Sequence, residues 1–425
     1  MENKFQRKLH RLGVVKGIKG LKSPPRPVEI TPPPAPPATL PGIEVPTAHG
    51  PVWVDRRVYD AAYRHGTYAL GDVAQCSVDA LALLGEAGLG ARPLFLDTET
   101  TGLAGGAGTL VFLTGVALWD EAQLTLHQVF LRDPAEEPAA LHYLADVLAS
   151  ATGLVTFNGR GFDVPLLQNR FILNRLPPQW TTRPHLDLLS VARQLWRDHL
   201  PLRRLGELET HILGVTRAET DIDSALIPEM YVNYLRTGAT GDMARIFYHN
   251  LVDVLSLVTL LTHTARMAAA PEPLHLAAGE WAGMGRVYDR AGREADALAA
   301  WERALSGDAG DLDPACAARL WREIGARHRR AGAWESACAA WEAWAARLPL
   351  DVEPLIERAK YDEWTARDLD AALAETIAAL ERASQQQRGP MRTLLIADLR
   401  HRQERLERKR ANERISEKAD QRKSE

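Results

Sequence analysis

With 425 residues the chain exceeds one typical domain and has room for two or three of about 150 residues each. A composition of 46% hydrophobic, 25% charged and 7% aromatic residues suits a globular protein with a sizeable core. No uncharged apolar run reaches the roughly 18 residues of a spanning helix, which argues against a membrane protein. The net charge of −4 hides an asymmetry: residues 1–26 carry +7 and the remainder −11, so the body of the chain is no generic binder of polyanions.

Residues 1–50 read as a disordered arm. Its cations lack the apolar segment of a secretory signal, and ten prolines between Pro24 and Pro46 favour an extended linker. Such an arm can meet nucleic acid by counterion release or simply stay solvated. Residues 51–91 form a lead-in, with a helix predicted from Val78 to Glu86 that ends at Gly88, and no chemistry. The widely spaced Cys76, Cys316 and Cys338 make neither a disulfide framework nor a zinc cluster, which favours a reducing, cytoplasmic setting.

From residue 92 the pattern is that of a mixed α/β sheet. Pro93–Leu96 is a short buried strand that stops in acid and threonine, and the Gly-rich run Gly102–Gly108 lacks the Lys-Ser/Thr of a P-loop, so it reads as a hairpin loop. Thr109–Trp119 and Gln123–Leu131 alternate about a turn at Asp120-Glu121. A helix over 136–150, a strand over 153–157, a helix after Asp163 and an apolar helix over 243–264 complete a domain at 92–268.

Beyond residue 270 strand signals vanish. Trp281 and Trp301 are 20 residues apart, as are Trp321 and Trp341, and the pairs repeat after 40. The helix starts (Trp281, Met284, Gly285; Trp321, Ile324, Gly325) and the small residues Ala297 and Ala337 resemble a stretched tetratricopeptide pattern over 272–385, with a weaker third unit from Leu355 to Ala383. Such repeats pack helix pairs together and can present a concave face to a protein partner. Residues 386–425 form a charged helical tail.

Three acidic motifs carry the chemistry. Asp97 and Glu99 follow a buried strand as D-T-E-T-T-G, and residues i and i+2 of extended backbone share a face. Two carboxylates there repel unless a cation sits between them, and a hard divalent ion takes such oxygen ligands while leaving positions for water and phosphate. In T-F-N-G-R-G-F-D-V-P, Asp163 precedes a helix and, taken alone, reads as an N-cap. In Y-H-N-L-V-D-V-L, Asp253 lies in a strongly apolar helix, where a carboxylate without partner or metal is costly, and His249 sits one turn before it.

These pieces resemble the three motifs of the DEDD (DnaQ-like) 3′–5′ exonucleases on the ribonuclease-H-like fold, and more narrowly the bacterial YprB-type family. Five blocks fall in the family's order, from LFLDTETTGLAGGAG to HNLVDVLSL. The resemblance implies a metal-dependent nuclease in which Asp97, Glu99, Asp163 and Asp253 hold two divalent ions, Mg²⁺ or Mn²⁺. The third motif departs from the better-known subclasses, which carry a His five residues or a Tyr four residues before the last Asp. Here those positions hold Tyr248 and His249 respectively. Residues i and i+4 of a helix lie about 40° apart and i and i+5 about 140°, which makes His249 the first choice to orient or deprotonate water and Tyr248 the second. Thr98, Asn158, Arg160 and Tyr248 are candidate substrate contacts, while His185, Asp187 (taken to begin a helix) and Glu209 read as supporting residues. Rival readings are a structure-selective endonuclease on the same site and a non-catalytic adaptor working through the repeats. DNA and RNA are not distinguished.

Overall fold

The structure, a computed structural model, describes residues 39–102, 108–120, 122–219, 221–307, 312–386 and 389–424. Most of the basic arm and the heart of the Gly-rich run, residues 103–107, therefore lie outside the described residues. Contacts divide the chain into two compact units. The first comprises residues up to Cys76, Gly88–Asp187 and Arg204–His263; the second comprises Ser77–Ala87, Leu188–Arg203 and residues from Thr264 onward.

The first unit is built on a sheet of seven strands. They are β1 (Ile43–Thr47), β2 (Gly50–Asp60), β5 (Pro93–Thr100), β6 (Val111–Asp120), β7 (Gln123–Phe130), β8 (Gly153–Thr156) and β9 (His185–Asp187), while β3 (Arg64–His65) and β4 (Tyr68–Ala69) form a separate small hairpin. The order across the sheet is β1-β2-β7-β6-β5-β8-β9. Strands β1, β2, β7, β6 and β5 run antiparallel to their neighbours, and β8 and β9 join in parallel, so the sheet is mixed as expected. Central β6 is buried on both faces, which explains why T-L-V-F-L-T-G-V-A-L-W is almost continuously apolar.

Two expectations for this region are corrected. The sequence predicts disorder to residue 50 and no strand in the lead-in before the helix at Val78, but β1 and β2 extend the sheet. The prolines misled because their places tolerate them. Pro46 lies on an edge strand, and Pro51 precedes Trp53, where the β2–β7 ladder begins. Asp187 ends β9 rather than beginning a helix.

Helices in the first unit are α2 (Glu137–Ala149), α3 (Asp163–Leu173), the short α5 (Leu205–Leu208), α6 (Ile227–Thr237) and most of α7 (Gly241–Ala269). Leu94 and Leu96 of β5 join the main hydrophobic cluster with Leu141, Leu144, Leu166 and Leu167. Period-two alternation then sends Asp97 and Glu99 to the opposite face of the strand. By length and composition α7 is apolar enough to cross a membrane, yet 89% of its most apolar window is buried within the fold, as befits a core helix.

The second unit is helical. It contains α1 (Val78–Leu84), stopped at Gly85 with φ 113° rather than at Gly88, and α4 (Leu188–Leu195). The rest follows in chain order: α8 (Ala278–Arg290), α9 (Glu294–Leu305), α10 (Pro314–Arg330), α11 (Trp334–Arg347), α12 (Glu353–Tyr361), α13 (Leu369–Gln385) and α14 (Pro390–Ser424). The 40-residue period has a physical basis in the helix pairs. Gly285 of α8 lies against the Trp301 indole of α9, and Gly325 of α10 lies against the Trp341 indole of α11, each so closely that a Cβ would collide with the ring. Residues 77–87 and 188–203 belong here because they pack on this unit. Trp196 Nε1 donates to Glu280 at 2.8 Å, Asp198 accepts from Arg286 and from Arg319, and Arg290 donates to the Leu83 carbonyl.

Replacing Gly285 or Gly325 by Ala is expected to destabilise the helical unit by about 1–3 kcal/mol through overpacking. Alanine's better helix propensity, worth up to about 1 kcal/mol, works the other way. Urea unfolding followed by tryptophan fluorescence checks this, and a gain in stability in both variants would show that the indoles are not seated on these glycines.

Candidate metal centre

The site begins where β5 loses a neighbour. Strand β8 pairs with β5 only from Pro93 to Phe95, so that edge of β5 is open farther along. The Thr98 N–H there donates to Asp163 Oδ1 at 3.1 Å, and Thr98 Oγ1 donates to the same oxygen at 2.5 Å. Asp163 is the first residue of α3, whose N-cap is Phe162 with no side-chain capping bond, so the capping expectation for Asp163 is not met. Thr98, a candidate substrate contact, lines the cleft but uses its hydroxyl on Asp163.

Helix α7 supplies the other wall. Asp97, Gly115 and Gln128 are cross-strand neighbours on β5, β6 and β7. Asn250 of α7 lies over this row: its Nδ2 donates to Asp97 Oδ2 at 2.8 Å, and its Oδ1 accepts from Gln128 Nε2 at 2.9 Å. Gln128 Nε2 also donates to the Phe247 carbonyl, which ties the row to the helix backbone. Only a residue without Cβ fits at position 115, because a methyl group there would run into the Asn250 amide. Asn250, a fully buried amide in an apolar helix, escaped the sequence reading although its burial beside the acidic motif was the available signal.

One turn on, ligand atoms of Glu99, His249 and Asp253 lie within 4.8 Å of one another. Asp97, Glu99, Asp163, His249 and Asp253 line a single open cleft of about 180 Å³, together with Thr98, Asn158, Phe157, Phe162, Ser224, Ile227 and Pro228. The five candidate residues thus come together from β5, α3 and α7. Asn158 sits at φ 66°, a left-handed position Asn tolerates. Its N–H donates to Asp187 Oδ1 at 2.8 Å, and the Arg160 N–H donates to Asp187 Oδ2 at 3.1 Å. Asp187 therefore holds the turn after β8, as a supporting residue. The Arg160 side chain donates to the His185 carbonyl and is not among the residues lining the cleft. Tyr248 is also absent from that lining: it is 2% exposed, and its hydroxyl accepts the Ala218 N–H at 2.8 Å. The expectation of Tyr248 as a substrate contact or water partner does not match that orientation.

A cation absent from the sequence reading stands behind Asp253. Arg217 donates Nε to Glu209 Oε2 at 2.6 Å and Nη2 to Glu209 Oε1 at 2.7 Å, a bidentate fork. Its Nη1 lies 3.2 Å from Asp221 Oδ2, and its Nη2 also donates to Asp253 Oδ1. His249 Nδ1 faces Asp221 Oδ1 at 3.0 Å, while Nε2 faces Ser224 Oγ at 3.1 Å and Asp253 Oδ2 at 3.5 Å. The sequence signal was slight: an Arg in a loop, with acids at 219, 221 and 223 following it.

Among the described residues, no Arg or Lys forms an ion pair with Asp97, Glu99 or Asp163. Burial, then the charges of Asp253, Glu99 and Asp163, push the Asp97 carboxyl well above its ordinary value. Burial raises Glu99 to about 8, with Asp253 and Asp163 adding to the rise against the pull of His249. Burial raises Asp163 to about 6 despite the hydrogen bonds from Thr98. For His249 burial opposes charge, but Asp253, Asp221 and Glu99 outweigh it and lift the imidazole to about 9. A set of hard oxygen donors that resist ionising together fits a divalent cation, which relieves their repulsion.

Residues 94–265 match the family model of the RNase H superfamily, and this segment is a ribonuclease-H-superfamily domain. The class that this fold defines is the ribonuclease-H superfamily, whose members are typically nucleases and generally bind divalent metals. A protein of Bacillus subtilis (strain 168), named uncharacterized protein YprB, is 34% identical over 223 residues, covering 49% of this chain and 52% of that protein. The chain thus matches about half the length of this relative. A solved structure of the family B DNA polymerase from the hyperthermophilic archaeon Pyrobaculum calidifontis matches with a TM-score of 0.32 and 15% identity, over 52% of this chain and 30% of the polymerase.

The raised values make stability depend on pH and metal. A group whose proton is held more tightly in the fold stabilises it fully below the group's unfolded pKa and loses that contribution as pH rises through the folded value. Glu99, Asp163 and His249 all act in this sense. In chelator the melting temperature should therefore fall between about pH 7 and pH 9, above the range in which the buried, neutral His65 and His127 pull the other way, and Mn²⁺ should restore more of it at about pH 8 than at about pH 6. Calorimetry at these pH values checks both; a melting temperature that climbs steadily to pH 9 in chelator contradicts the assignment.

Proposed function

We propose that the ribonuclease-H-superfamily domain hydrolyses phosphodiester bonds of DNA or RNA from a 3′ end, as a metal-dependent exonuclease. The observation that carries this reading is the convergence of four carboxylates, Asp97, Glu99, Asp163 and Asp253, on one cleft from three separate elements. Two divalent cations, Mg²⁺ or Mn²⁺, match the roughly four negative charges and, when bound, supply a lowered pKa for attacking water and neutralisation of the phosphoryl oxygens.

The chain's own residues divide the remaining work. Thr98 and Asn250 each hold one oxygen of a ligand carboxylate, Asp163 Oδ1 and Asp97 Oδ2, leaving the partner oxygen for a cation. His249 is our assignment for proton handling. Asp221 fixes Nδ1, and Nε2, on the cleft side by Asp253, is the atom that holds or accepts the proton. Phe157, Phe162, Ile227 and Pro228 give the cleft an apolar wall that limits water around the reacting phosphate. The helical unit is proposed to be tetratricopeptide-like and to bind a protein partner, with the basic arm adding weak affinity for nucleic acid. A cytoplasmic setting is part of the same proposal.

The test is degradation of end-labelled single-stranded DNA and RNA, linear and circular, with Mn²⁺. Linear substrate should be consumed and circles spared. The Asp97→Ala variant should lose more than about a hundredfold in rate, beyond the 10–100-fold usual for residues that only support a metal ligand. Cleavage of circles replaces the exonuclease reading with an endonuclease; an equally active variant removes Asp97 from the site.

A further inference from the structure

The placement of Arg217 carries a consequence for the metal centre that rests on the reading above. Its guanidinium is buried among three carboxylates, with a side chain only 17% exposed. Two of its nitrogens form the fork on Glu209, a residue 1% exposed whose carboxylate also has a side-chain hydrogen bond with Ser256. This fork fixes the plane of the guanidinium. Within that plane Nη2 reaches Asp253 Oδ1, and Nη1 lies 3.2 Å from Asp221 Oδ2 and 3.1 Å from His249 Nδ1, the ring nitrogen that also faces Asp221 Oδ1.

An arginine in this position can act in either of two ways. As a loose counter-charge it would compensate the acids until a metal arrives, then move aside. As an anchored donor it would stay and govern which oxygen of Asp253 remains available. The anchoring favours the second. Swinging Arg217 out would leave the buried Glu209 carboxylate with a Ser256 hydrogen bond but no compensating charge, which is strongly unfavourable. Asp253 Oδ1 is thus taken, and Oδ2, which faces His249 Nε2 at 3.5 Å, is the oxygen that Arg217 leaves without a contact.

We propose that Arg217, locked by Glu209, is a positioning residue that leaves Asp253 Oδ2 as the oxygen available to a divalent cation and aligns His249 both directly and through Asp221. The same guanidinium thereby couples a ligand and the proposed proton carrier.

The experiment is titration of the full chain with Mn²⁺, read as loss of the free-ion electron paramagnetic resonance signal. The proteins are the wild type and the Arg217→Met and Arg217→Lys variants, with thermal unfolding of each in chelator as the control for folding. Removing a positive charge beside a metal site would by electrostatics alone tighten binding, so the two roles differ in sign. Positioning predicts that Arg217→Met weakens Mn²⁺ about tenfold, in the range for groups that orient metal ligands. Arg217→Lys should recover part of the loss, since an ammonium supplies charge without the fork. If Arg217→Met does not unfold cooperatively, Arg217→Lys decides the matter: with the charge kept and the fork lost, positioning predicts binding weaker than wild type, and a counter-charge role predicts binding equal to it. Binding that is unchanged or tighter in the folded variants, with wild-type binding intact, overturns this role alone. A wild type that binds no Mn²⁺ overturns the metal centre and this role with it.

Discussion

Carboxylates buried together in one cleft cannot all be ionised without something positive between them, and much of the first unit is arranged around that constraint. Asp97 and Glu99 share a face because β5 stays extended to Thr100. Asp163 reaches them because β8 stops pairing early enough to expose the Thr98 amide. Asp253 reaches them because α7 lies across the sheet at a place opened by a glycine. Removing any one of these arrangements would scatter the acids, and removing all counter-charge would drive them to hold protons instead.

Three of the four acids have one oxygen held by a neutral or charged donor: Asp97 by Asn250, Asp163 by Thr98 and Asp253 by Arg217. Glu99 has no such donor among the described hydrogen bonds, and its carboxyl is the one raised to about 8. The three held acids each have one oxygen fixed, whereas no donor fixes either oxygen of Glu99 among the described residues. Fixed donors and one unfixed donor suit a hard cation whose ligands change as a substrate enters.

What could be read in the sequence was whatever follows local periodicity. The alternation that puts Asp97 and Glu99 on one face, the hairpin about Asp120, and the apolar helix around Asp253 are all short-range patterns, and the structure has them. The 40-residue tryptophan spacing was legible for the same reason, since one glycine seats each indole in successive helix pairs. Strands β1 and β2 were hidden by prolines, because local propensity cannot know that a strand lies at a sheet edge. Arg217, Asp221 and Asn250 were hidden for another reason. Arg217 meets Asp253 36 residues away and Asn250 meets Asp97 153 residues away, across tertiary contacts that no window of sequence contains. Tyr248 and His249 differ by one position on a helix, and only the direction of each side chain separates a cleft residue from one bound to a loop amide.

The chain passes between its two compact units at Cys76, Ala87, Asp187, Arg203 and His263 rather than once. Residues 77–87 and 188–203, encoded within or before the nuclease segment, complete the helical unit far downstream. Such interleaving alters how the protein can be inherited. A cut between the nuclease segment and the repeats would strand α4 with Trp196 and Asp198 deprived of their partners, so gene fusion cannot exchange the nuclease as a cassette without carrying its helical complement.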